Sequence, residues 1–139
     1  MKAAGKTIHA VLGLWHGLAA VQNAFDILAT TQVAPELRPF ASKNAAAIAK
    51  LLERLHPSTP QIAALLGGVC AIEALAAASF ARGALGGKSD DLAFALSLGL
   101  FGAFFLVDDA FDNYDMGADH RAIFTLVAAS YCACKAARF

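Results

Sequence analysis

The sequence predicts an all-α fold: a four-helix transmembrane bundle, one integral membrane domain over residues 1–139, with a short amphipathic helix in the first loop. Three observations predict it. Residues 8–25, 62–81, 92–107 and 122–134 form four nearly charge-free apolar stretches. Most of the charge is swept into the gaps between them. The chain is 58% hydrophobic and 16% charged, where soluble domains carry roughly 25% charged residues. A helix needs about 20 apolar residues to cross a bilayer, slightly fewer where flanking charges snorkel. With such flanks the spans run over about 8–28, 62–82, 91–110 and 119–137. A soluble bundle with so little polar surface would leave large apolar patches in water and aggregate.

The first span follows Lys2 and Lys6, an arrangement shared with signal peptides. The run is longer than a signal h-region, contains His9, Trp15 and His16, and lacks a clear small-x-small site before Gln22. It is therefore expected to be kept. His9, Leu12, His16, Ala19, Asn23 and Asp26 recur by threes and fours and form one stripe. That stripe should face protein or water, because Asn23 and Asp26 would be costly against lipid.

The first loop contains Pro35 and Pro39, then SKNAAAIAKLLERL at 42–55. Ser42 is a plausible cap, and Ile48, Leu51, Leu52 and Leu55 mark one face of a short amphipathic helix closed by His56-Pro57. Lys43, Lys50 and Arg54 stay wet, so this helix is expected on the membrane surface or over the bundle. In the second span Glu73 stands alone in an apolar run, and Gly83, Gly86 and Gly87 then make a tight turn. The third span ends in VDDAFDNYDMGADHR, with Asp108, Asp109 and Asp112 on its last turns and His120 and Arg121 opening the fourth. Small residues let spans approach closely. Gly13-xxx-Gly17, Gly67-xxx-Ala71 and the series Ala95, Gly99, Ala103 supply them.

Eleven basic and eleven acidic residues cancel, so no net field favours nucleic acid. Cys70, Cys132 and Cys134 form neither a CxxC motif nor a zinc pattern and read as small packing residues. Lys2, Lys6, Arg82, Lys88, Lys135 and Arg138 share one side of a four-span arrangement, and Arg38, Lys43, Lys50, Arg54 and Arg121 the other. The bias is small and favours cytoplasmic termini.

Polar residues within the spans are the candidate sites. Counted from the span ends, His16 and Glu73 lie at similar depth, so a Glu73–His16 pair is the leading candidate for proton relay or substrate binding. The bland alternative is a buried pair that sets helix register. Asn23 and Asp26 join the candidates. Asp108, Asp109, Asp112, His120 and Arg121 form a second cluster, suited to a divalent cation or to salt bridging at the interface. Asp108-Asp109-x-x-Asp112 copies the letters of the aspartate-rich motif of prenyl-diphosphate enzymes, but this chain is far shorter and lacks the second acidic motif. Axial bis-histidine ligation of haem needs opposed histidines at one depth, and no histidine opposes His16. Trp15, Phe101, Phe104 and Phe105 could line a quinone or lipid groove, although such spacing is more often packing. No cofactor is expected.

Asn23-Ala-Phe-Asp26 at the end of the first span, Ala71-Ile72-Glu73-Ala74-Leu75 in the second, and the acidic segment leading to His120-Arg121-Ala122-Ile123-Phe124 occur in a telling order. In this order the chain resembles a family of predicted small bacterial integral membrane proteins of uncharacterised function. The resemblance implies a four-span fold in a bacterial inner membrane, draws attention to Asn23, Asp26, Glu73 and Arg121, and implies no activity. The family's tryptophan-rich segment before the last span has no counterpart here. With no complete catalytic constellation in view, the expected role is a non-enzymatic subunit or stabilising partner of a larger membrane assembly. A small proton-coupled transporter using Glu73 and His16 is the alternative. A membrane oxidoreductase or metal-binding protein is the second. Expected partners are the lipid bilayer and other membrane subunits or further copies of the chain.

Overall fold

The computed structural model describes residues 3–86 and 90–136. Lys2, Gly87, Lys88 and Arg138, counted above, lie outside the described residues, as do the side chains at positions 90, 114 and 115. Among the described residues all regular structure is helical. There are five α-helices: α1 (Ala3–Thr30), α2 (Asn44–Leu51), α3 (Thr59–Ala84), α4 (Asp90–Ala110) and α5 (Tyr114–Ala136). Short 3-10 helices at Pro35–Phe40 and Glu53–Leu55 flank α2, so the loop helix is shorter than 42–55 and is followed by a separate turn.

Four helical segments end on the same device. Gln32, His56, Gly86 and Asp112 have positive φ, at 61°, 48°, 95° and 58°. Each sits just past a helical segment, where a left-handed residue folds the chain back onto the last carbonyls. Val33 N–H donates to Leu28 O at 3.0 Å and Gln32 N–H to Ala29 O at 3.4 Å. The end of α4 repeats this pairing, with Asn113 N–H to Asp108 O at 2.8 Å and Asp112 N–H to Asp109 O at 3.4 Å.

The chain divides into two compact units, Met1–Gly17 with Ile72–Phe139, and Leu18–Ala71. In the first unit Leu12, Ala76, Phe80, Ala93, Phe94, Val127 and Cys134 form the core. There α4 and α5 pack together, and α1 approaches α3 through Gly13. A Cβ at Gly13 would lie 3.3 Å from Phe80 Cβ and 3.4 Å from the Ala81 nitrogen, whereas one at Gly17 would meet only Ala77 Cβ at 3.8 Å. In the second unit Ala45, Ile62 and Leu66 form a smaller core, joined by Ile27, Ile48, Ala49 and Val69.

Among the described residues two helices are long and apolar enough to cross a membrane, α3 and residues 91–110 of α4. Only 28% and 33% of their most apolar windows are buried. Among the four stretches expected to span, α1 and α5 fall short of that apolarity. His9, His16, Gln22, Asn23 and Asp26 interrupt α1, and Asp119, His120 and Arg121 occupy the first turns of α5.

Candidate functional site

In the second unit, Asp26 is the hub of a polar knot. It lies on the last turns of α1 and is fully buried. Its Oδ1 accepts from Arg38 Nη1 at 2.8 Å and from Thr30 Oγ1 at 3.3 Å. Its Oδ2 accepts from Ser42 Oγ at 3.0 Å and from the Ala45 backbone N–H at 2.8 Å. Asn23, one turn earlier, uses its Oδ1 to accept from Ser42 Oγ at 2.7 Å and Asn44 Nδ2 at 2.8 Å. Ser42 N–H adds a bond to Gln22 O at 3.0 Å. The residue at the N-cap of α2 is Lys43, whose side chain makes no capping bond. The Asp26 carboxylate therefore takes up a free first-turn N–H of α2 and faces the positive end of its dipole. Ser42 contributes by accepting from Asn44 N–H at 3.3 Å.

In the first unit, α1 buries two histidines two turns apart, His9 and His16. His9 Nδ1–H donates to Gly5 O at 2.8 Å, and the ring meets Phe80 and Phe94 edge-on at 5.7 and 5.5 Å. Cys134 Sγ lies 3.9 Å from the same nitrogen. His16 Nε2 is hydrogen-bonded to Ser97 Oγ of α4 at 2.8 Å, and its ring stacks on Phe80 at 5.8 Å. Trp15 stacks on Phe101 at 5.5 Å, and Phe101 and Phe104 both flank the His120 ring.

The α4–α5 corner carries the acidic cluster. Asp108 is 2% exposed. Its Oδ2 accepts from His120 Nδ1 at 2.5 Å and its Oδ1 from Asn113 Nδ2 at 3.0 Å. Asp109 accepts from Arg121 Nη1 at 3.1 and 3.4 Å, in a pair open to solvent on both sides. Asp112 supplies the left-handed residue of the turn. Among the described residues, no group of three or more His, Cys, Asp or Glu side chains is placed to hold a metal ion.

The structure brings Asn23 and Asp26 together, joins Asp108 to His120 and joins Asp109 to Arg121. Glu73 is buried, 5% exposed, in the middle of α3. Sequence reasoning missed Ser97 as the partner of His16 and Arg38 with Ser42 as partners of Asp26. A serine inside an apolar span is a usable signal, because its hydroxyl requires a partner there. Arg38 had no such signal. No protein-family model, curated protein or solved structure matches this chain.

Proposed function

We propose that this chain is a small four-span integral membrane protein, a non-enzymatic subunit or stabilising partner of a larger membrane assembly. One observation supports the membrane part of the reading: the apolar windows of α3 and α4 are only 28% and 33% buried. The core helix of a soluble protein of this size would be mostly covered. Leu14, Leu75, Leu92 and Leu106 are likewise 77%, 59%, 57% and 62% exposed, and apolar surface on this scale needs lipid or partner helices against it. His16, Asn23 and Asp26 of α1 and Asp108 and Asp109 at the α4–α5 corner bond neighbouring segments, a structural use. The family resemblance supports a bacterial inner membrane, and the basic residues support cytoplasmic termini.

Alkaline carbonate should leave the chain in the membrane pellet. Purification from native membranes in mild detergent, read by mass spectrometry and an absorption spectrum, should return stoichiometric partner subunits. A pure, colourless homo-oligomer overturns the subunit reading.

One observation favours the transporter as a second reading. Glu73 is buried midway along a helix apolar enough to span, and a carboxyl at such depth is commonly functional. Glu73→Gln should then abolish proton-coupled transport while the unfolding temperature is kept.

A further inference from the structure

The second unit carries an apolar groove of about 490 Å³ lined by Leu52, Leu55, Pro57, Gln61, Ala64 and Leu65. Leu52 and Leu55 are three apart in a 3-10 turn, so they stack on one face. The left-handed backbone of His56 then turns the chain so that Pro57 and the first turns of α3 complete the wall. The groove is open, with Leu55 66% and Leu65 50% exposed.

Depth and charge say what covers it. At about 1.5 Å per residue the 26 residues of α3 extend ~39 Å, about 9 Å more than a hydrocarbon core. Arg82 anchors one end, and about twenty residues back from it lies Ile62. On the four-span reading the second span opens at about Ile62, which puts Leu65 in the apolar stretch and Leu52 and Leu55 in the loop before it, the boundary where a phospholipid's glycerol meets its acyl chains. In the sequence Lys50 precedes Leu52 by two residues and Arg54 adjoins Leu55; both are exposed, and among the described residues neither is engaged in an ion pair. Glu53 is the acid of the same turn, and Lys43 at the N-cap of α2 is likewise exposed and makes no ion pair among the described residues.

We propose that this groove is a binding site for an anionic phospholipid, one acyl chain lying along Leu52, Leu55 and Leu65 with the phosphate drawn to Lys50 and Arg54. The inference rests on the membrane reading above and names the lipid partner of that surface. The apolar wall is indifferent to headgroup, so the headgroup preference comes from the two basic side chains.

The test uses the full chain in mild detergent, titrated with dioleoyl-phosphatidylglycerol or dioleoyl-phosphatidylcholine and read by native mass spectrometry. Phosphatidylglycerol should be retained preferentially. Removing each cation should weaken that preference about fivefold, so Lys50→Gln with Arg54→Gln brings the two lipids close to parity. Leu55→Asn should reduce retention of both lipids alike. Equal binding of the two lipids by the unaltered chain overturns the proposal, as does a preference that survives the double substitution. Competition by inorganic phosphate that displaces the lipid completely shows a headgroup site without the groove and overturns it too. A dimer lost on Leu55→Asn, with no lipid bound, assigns the groove to a second copy and overturns it. Release of the chain by alkaline carbonate is a separate result, which sinks the membrane reading itself.

Discussion

Asp26→Ala removes one acceptor from four donors at once: Arg38, Thr30, Ser42 and the Ala45 N–H. The buried Ala45 N–H then has no acceptor and Ser42 keeps only Asn23 Oδ1, while the half-exposed Arg38 is solvated, and the loss should be about 3 kcal/mol. Arg38→Ala is the milder change. Arg38 is 52% exposed, and the carboxylate keeps its three other donors, so about 1 kcal/mol is expected. Thermal unfolding in detergent checks both, and equal losses would show that the ion pair, not the cap, holds the knot. His56→Gly should raise stability by about 1 kcal/mol, since glycine adopts positive φ without a Cβ clash. An unchanged or lower unfolding temperature would contradict that. Asn23 and Asp26 were legible as polar residues on a buried stripe. Their partners were not, because Arg38 and Ser42 lie 12 and 19 residues along a loop whose path no periodicity describes.

Gly13 and Gly17 look alike in the sequence and differ in the packed element. At Gly13 an added Cβ would press on Phe80 Cβ and on the backbone of Ala81, which cannot yield as a side-chain tip does. Gly13→Leu should therefore cost about 1–3 kcal/mol from overpacking. At Gly17 the nearest atom is 3.8 Å away, so Gly17→Ala should be neutral or gain up to about 1 kcal/mol from helix propensity. Comparing both variants by thermal unfolding separates packing from propensity. The helices of the apolar stretches were legible from composition, and the small-residue pattern marked where a close approach was available. Which glycine is used depends on the register of α1 against α3, which brings Phe80 to Gly13. Of the left-handed ends at Gln32, His56 and Asp112, the His and Asp belong to the residue types enriched in that conformation, but without a glycine the signal is too weak to mark how those segments close.

At the scale of the whole molecule, single cysteines read the membrane topology. If all four long helices cross, cysteines at Ala4 and Leu85 label from one side of the membrane and one at Ser58 from the other. If only α3 and α4 cross, Ala4→Cys and Ser58→Cys share a side and Leu85→Cys is opposite. Labelling of intact and permeabilised spheroplasts with an impermeant maleimide distinguishes the two, and the four-span proposal stands on the first pattern. All three sites belong to the described residues, and all are exposed.

The sequence alone determined an all-helical protein, since long Ala- and Leu-rich runs without strand punctuation leave the backbone one way to satisfy its own donors and acceptors. It also determined which helices are most apolar, because transfer from water is roughly additive over residues. Tertiary structure decided how the polar groups are spent. Asp26 caps α2 from another helix, His16 bonds Ser97 of α4, and Asp108 holds His120 across a turn. Each is a pairing between distant positions, and a pairing depends on where the chain returns rather than on what either residue is by itself.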